Sequence, residues 1–563
     1  MLAGQNVPML QISLMTIRQL TRFLLLFGAI TVSIPAATYY ISPVGSNRNN
    51  GRSELTPWKT FAKAFASMAG GDTLVLADGA YTAATTGYIN ISANCRNCAL
   101  PPNGIDAAHF TTIQAAHPGA VWIRSEHRDG FDRPLRLGDV RTKSRFIKLQ
   151  GIDFAGAFLE NTDHIYIKEC GFFSETRDAG GVFDVGTNDH NYGNTYLLVE
   201  DCWAWGHERV IVVIFRSDHV VIRRFVGRQD GCDSSSLGCG NNSGNYTGGV
   251  VTYNSSDVSW QNVIVLDSTV GPKGFLGAAD FCTAWHTNAD GHLPGHPFGR
   301  NEWLGSISLN SKIGGFYAEM DSVPGVLNPA FIYRNIVAWN ASGDAGAMDA
   351  QIGDCDSNCP PADLTVENAT FSKTMPREND VVYIGRTFGQ GGAKTELRNA
   401  IITGVGRYGI SAAGLKSLSY ADIYAAKTTE GAVNAAKCSP GCRNTDPTHD
   451  GPVPSLKYLT RIENGSALKG TGYKGADYGA NIVSRYGVDG AFYGDPNYNT
   501  LTTVPLWPWP NEDRIKNDFC SDPSTQRGLC NSPSLTAYVW GAVGNSPPPE
   551  LTADPVAAGR AGK

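Results

Sequence analysis

Short stretches of the chain alternate between apolar and polar residues with a period of two, and the stretches repeat. FIYRNIVAWNAS (Phe331–Ser342) shows the plan: an alternating strand, a polar residue just past its centre, then a second short apolar strand. Other segments share it, among them FIKLQGIDF, IYIKECGFF, VSWQNVIVLDS and LTVENATFS. The strand centres align at Leu149, Ile167, Val199, Ile222, Trp260, Trp303, Tyr333, Val366, Leu397 and Tyr420. A strand-sized motif recurring at such intervals predicts a solenoid, in which each coil buries its apolar side against its neighbours. Two places after the centre stand Asn262, Asn335, Asn368 and Asn399, with Asp201 and Asp422 as substitutes. Asn tolerates the left-handed backbone of a sharp bend and can bond locally or to a stacked Asn in the next coil. Each rung is followed by a further strand that usually opens with glycine, as in GGVFDVG, GGVVTYN, KGFLG and GGFYAEM.

Ahead of this ladder, Pro57 opens a short helix with Phe61, Phe65 and Met68 on one face, and Leu74 and Leu76 begin the first strand. Such a helix is the expected cover for a first coil that has no neighbour. Beyond Cys438 the periodicity stops. Residues 438–546, with Trp507, Trp509 and Trp540 among prolines, are expected to form an irregular cap across the last coil, and 547–563 a flexible tail.

Composition narrows the setting. A net charge of −6 and the absence of a long Lys/Arg run argue against nucleic-acid partners. Within residues 1–37, RQLTRFLLLFGAITVSIPAA reads as a secretory signal, and no second long apolar run follows. The expectation is therefore a secreted monomer (extracellular, cell-surface or periplasmic) with no membrane span after signal removal. Thirteen cysteines agree with export. The close pairs Cys95/Cys98, Cys232/Cys239, Cys355/Cys359, Cys438/Cys442 and Cys520/Cys530 read as loop staples. Cys170 and Cys202 hold equivalent places in consecutive coils and should stack, as a disulfide or as buried thiols, leaving Cys282 over.

Two long loops hold the candidate chemistry. Gly227–Gly249 carries Asp230 and Asp233 around a Cys pair. Calcium requires several hard oxygen ligands, and Asp178, Asp184 and Glu208 from stacked coils could complete a Ca2+ site. Asp267–Trp303 concentrates Lys273, Asp280, His286, Asp290, His292, His296, Arg300 and Glu302, the densest titratable cluster of the chain.

The opening YYISPVGSN…PWKTFAKA…GGDTLVLADGAY resembles that of secreted proteins of the pectate-lyase-like superfamily, particularly the lysine-base, calcium-dependent pectate lyases. The resemblance implies an all-β fold, a right-handed parallel β-helix of about 10–12 coils over residues 38–437. It also implies an acidic, uronate-containing polysaccharide as substrate, cleaved by β-elimination. The proton beside the sugar carboxylate becomes removable once calcium or Arg/Lys neutralises that carboxylate. In such enzymes the later, glycine-opened strands wall the substrate groove, and Lys273, directly before one of them, is the expected base, with Arg209 and His286 in reserve. Two other readings stand beside it. A glycoside hydrolase could use Asp344 and Asp349, or Glu319 and Asp321. A rigid, non-catalytic surface or matrix protein could bind glycans.

Overall fold

The chain coils between two long parallel sheets, of nineteen and eleven described strands. The computed structural model describes residues 36–552 except 91–94, 126–132, 175–180, 187–192, 232–247, 270–278, 286–298, 321–329, 343–345, 353–362, 374–379, 385–395, 405–406, 413–414, 425–427 and 431–437. Every described pairing within the two sheets is parallel, as a solenoid of stacked coils requires. The fold is an all-β parallel β-helix.

The alternating rungs form the nineteen-stranded sheet, in the register that the sequence pattern implies. Leu149 pairs with Ile167, Ile167 with Val199, Val199 with Ile222 and Ile222 with Trp260. Trp260 then pairs with Trp303, Trp303 with Tyr333, Tyr333 with Val366 and Val366 with Leu397. The last centre differs: Leu397 pairs with Leu418, two places before Tyr420. Inside the helix these residues stack, the Trp260 and Trp303 rings lying 4.8 Å apart and nearly parallel. Each indole N–H is satisfied, on Thr252 and Thr283 of the other sheet, so the large rings bury no orphan donor.

The first rung lies earlier than expected. Thr38–Ile41 pairs in parallel with Thr73–Leu76, which is thus the second rung. Between them sits the helix Phe61–Phe65, capped by the Thr60 hydroxyl and burying Phe61, Ala64 and Phe65. Beyond its end, Met68 is also buried.

The expected bend residues occupy one column of left-handed backbone. Asn262, Asn335, Asn368 and Asn399 have φ of 50°, 52°, 55° and 54°, and Asp201 has 54°. Gly305, with φ 66°, holds the same corner of its coil. Tyr420, not Asp422, completes the column, with φ 52°. Glycines that open strands of the smaller sheet do so for room: a Cβ on Gly315 would come within 2.4 Å of the Ala347 carbonyl oxygen.

The asparagine side chains do not ladder with one another. They hold the C-terminal segment, which starts against the last coil and then runs back along the solenoid. Tyr420 N–H donates to the Pro440 carbonyl, and Asn399 Oδ1 accepts from Tyr473 N–H at 2.7 Å. Asn368 donates to the Asp477 carbonyl, Asn335 accepts from Asn481 N–H, and Asn262 accepts from Tyr486 N–H at 2.7 Å. Farther back, Arg514 reaches Asp153, and Trp203 donates to Asp518 at 2.7 Å. Trp507, Trp509 and Trp540 are 5%, 3% and 2% exposed, packed on Ile264, Leu266, Ile307 and Leu309. These rings are core, closed to any ligand.

Cys95–Cys98, Cys438–Cys442 and Cys520–Cys530 are disulfides. Cys170 and Cys202 are buried thiols in adjacent coils, with Cys170 N–H donating to Cys202 Sγ at 3.3 Å. The pairs Cys232/Cys239 and Cys355/Cys359 lie outside the described residues, as do residues 1–35 of the expected signal and 553–563 of the expected tail. No described helix is long and apolar enough to cross a membrane.

One interior carboxylate gives a pH prediction. Asp280 is fully buried, accepts from the Ser308 hydroxyl at 2.7 Å, and burial pushes its pKa from 3.8 up to about 7. Between those values the folded chain holds a proton that the unfolded chain releases, so stability falls as pH rises through this window. Asp280→Asn should remove that fall, raising stability above pH 7 by up to about 4 kcal/mol. Urea unfolding from pH 4 to pH 8 checks it, and the two proteins should converge at the acid end.

Candidate functional site

The outer face of the eleven-stranded sheet carries the described polar chemistry nearest to the predicted groove. Along its strands Phe183, Val185, Val250 and Phe281 point inward, so their sequence neighbours point out. The outward column reads Asp184, Val213, Val251, Cys282, Tyr317, Asp349 by pairing register. Two places along the strands a second column contains Tyr253, Ala284 and Glu319.

Asp184 points outward and is bound by Arg133 at 2.7 Å, a nearly buried ion pair. Arg209 immediately precedes the strand Val210–Phe215. Burial lowers its pKa from the usual guanidinium value, while Tyr253, Cys282 and Asp184 pull it partly back. Those influences put Tyr253, Cys282 and Asp184 within electrostatic reach of the guanidinium. Its main chain is fixed too, since the Arg209 carbonyl accepts from Gly248 N–H and from the Gln229 amide. At the other end of the face, burial raises the Tyr317 pKa, with Glu319, Cys282 and Asp349 adding to the rise. Cys282 is pushed up to about 12, mainly by burial, so it is a thiol at neutral pH and no nucleophile.

The other candidates divide into three groups. Lys273, His286, Asp178 and Asp233, with Asp290, His292, His296, Asp321 and Asp344, lie outside the described residues. The KGFLG segment lies outside the described residues too, and the next described strand of that sheet is Ala279–Trp285. Asp280, Arg300 and Glu302 do not form a reactive cluster. Asp280 is interior, while buried Glu302 is held by Arg300 at 2.7 Å and by the Ser259 hydroxyl. Asp230 and Glu208 are built into the scaffold. Asp230 is gripped by Arg228 at 2.8 Å and Arg527 at 2.7 Å, and buried Glu208 accepts from Ser174 at 2.5 Å.

Calcium was expected from five carboxylates. Among the described residues no three Asp, Glu, His or Cys side chains gather into a metal-holding group. The described donors Asp184, Asp230 and Glu208 each already serve a protein partner, and Asp178 and Asp233 lie outside the described residues. Tyr253 and Tyr317 were absent from the sequence-based candidates. Their signal was the outward phase of the glycine-opened strands, readable only once the register was known.

The sequence matches no protein-family model and no curated protein. Among solved structures the chain is similar to a pectate lyase, with 14% identity over 79% of this chain and 95% of that one and a TM-score of 0.37. A rhamnogalacturonan lyase shows 11% identity over 83% and 97%, with a TM-score of 0.38. The A-module of a mannuronan C-5 epimerase from Azotobacter vinelandii shows 10% identity over 67% and 92%, also with a TM-score of 0.38.

Proposed function

We propose that the protein acts on a uronate-containing polysaccharide by β-elimination, on the outer face of the eleven-stranded sheet. The observation that carries this reading is Arg209, a cation that leads into the strand Val210–Phe215 of that sheet and whose pKa is lowered by burial. A base for a carbon acid must spend part of its time unprotonated, and desolvating a guanidinium moves it in that direction. Arg209 takes the proton beside the sugar carboxylate. The electron pair forms the carbon–carbon double bond, and the glycosidic oxygen leaves from the neighbouring carbon. Tyr253, close enough to influence Arg209, supplies a phenolic proton to that oxygen. Lys273 remains the alternative base. Calcium would neutralise the substrate carboxylate if bound, but no step is assigned to it.

The product carries a conjugated double bond, so ultraviolet absorbance should rise when the protein meets pectate, alginate or related uronates, with and without added calcium. A flat trace over the whole panel overturns the reading. Glycoside hydrolysis has one observation in its favour: Glu319 and Asp349, on adjacent strands, both act on Tyr317. Reducing ends released from neutral glycans, with no absorbance rise, would select it. Binding with neither signal would select the non-catalytic reading.

A further inference from the structure

A separate cleft of about 370 Å³ opens where the nineteen-stranded sheet meets the C-terminal segment. Its volume falls within the range of about 300–1,000 Å³ typical of ligand pockets. One wall is aromatic. Trp122 meets Phe173 edge-on at 5.3 Å, Phe173 stacks on Trp205 at 5.4 Å, and Phe519 supports Trp205 from behind at 5.7 Å. Trp122 and Phe173 remain partly exposed, so their ring faces are open to the cleft. The rest of the lining is polar, with Arg124, His207, Ser521 and Asp522.

We infer that this cleft is a carbohydrate-binding site, taking a pyranose unit of an oligosaccharide. A pyranose has an apolar face of C–H groups and a rim of hydroxyls, and this lining offers both counterparts. The rings present flat apolar surface, while Asp522 and the hydroxyl oxygen of Ser521, whose O–H donates to the Asp518 carbonyl at 2.8 Å, supply acceptors. His207 contacts the Gly231 carbonyl through Nδ1 at 3.1 Å, and a carbonyl can only accept. That bond puts the proton on Nδ1 and makes Nε2 of the neutral ring an acceptor. One part of the lining is firmly held: Asp230 is locked between Arg228 and Arg527. Arg124 is exposed at the edge, where its guanidinium suits a uronate carboxylate in bidentate contact. The inference does not rest on the elimination chemistry, because binding here needs neither Arg209 nor turnover.

The test is equilibrium binding to the full chain, by tryptophan fluorescence and calorimetry, with size-defined neutral oligosaccharides in one arm and uronate oligosaccharides in the other. An Arg209→Ala background keeps the second arm uncleaved. Saturable binding is expected in at least one arm, weakened tenfold or more by Trp122→Ala and by Ser521→Tyr, which fills the cleft from its exposed rim. Arg124→Ala should weaken only the uronate arm; equal loss in both would mark a neutral-sugar site and remove the carboxylate contact. If Trp122→Ala does not fold, Ser521→Tyr decides. Absence of saturable binding in both arms, or binding unchanged by Ser521→Tyr, overturns the inference.

Discussion

Arg209→Ala should lower the elimination rate about a thousandfold with little change in KM, the scale on which a positioned general base contributes. The fold should survive, because the Arg209 backbone carbonyl, bound by Gly248 N–H and the Gln229 amide, is untouched by the change. Arg209→Lys is the sharper variant. An ammonium loses its proton at lower pH than a guanidinium, so the rising limb of the pH–rate profile should move toward acid. A merely structural arginine would not move that limb. Lys273→Ala, measured in parallel, separates the two candidate bases. Full activity in Arg209→Ala beside loss in Lys273→Ala would transfer the role to Lys273.

The ladder was legible because solenoid coils repeat one local problem. Each rung centre must be apolar and face inward, and a one-residue slip would turn its whole strand inside out. That penalty fixes the phase from Leu149 to Leu397. A slip of two residues carries no such penalty, since it keeps every side chain on its own face. LSYADI offers Leu418 and Tyr420 at that spacing, so alternation alone could not choose between them. Backbone geometry does: Tyr420 takes the left-handed corner, while Asp422 accepts from Thr445 N–H at 2.9 Å.

The candidate site was less legible, for a different reason. Charged residues were collected by their proximity in sequence, yet a β-helix brings together residues one coil apart. Asp280 and Glu302 share a loop region in the sequence, but Asp280 ends in the interior beside Ser308, while Glu302 faces outward beside Ser259 and is covered by Asn499 of the C-terminal segment. Arg209, Tyr253 and Cys282 are scattered in sequence but belong to three consecutive coils of one sheet. The C-terminal segment was hidden in the same way. Asn335 was read correctly as a bend, but nothing local announces that its amide donates to Tyr486 and accepts from Asn481.

That long-range docking leads to the largest expected loss of stability. Arg223 is fully buried, pairs with buried Glu200 at 3.2 Å, and donates to the Val488 and Ala491 carbonyls of the C-terminal segment. Glu200 in turn accepts from Tyr166 at 2.5 Å and from Gly490 N–H at 3.0 Å, and neighbouring Arg224 binds Asp201 and Asp489. Arg223→Ala would leave Glu200 buried without its nearest cation and two carbonyls without their donor. Breaking a buried pair in this way costs about 3–5 kcal/mol, far more than an exposed pair is worth. Urea unfolding should report that cost, and limited proteolysis should cut first near residues 484–500, where the docked chain is released. Adding Glu200→Gln to Arg223→Met removes the stranded charge and restores apolar volume. The double variant should therefore be more stable than the sum of the two single losses implies. Strict additivity would mean that Arg223 acts through its carbonyl contacts alone, and that the ion pair does not hold the C-terminal segment to the solenoid.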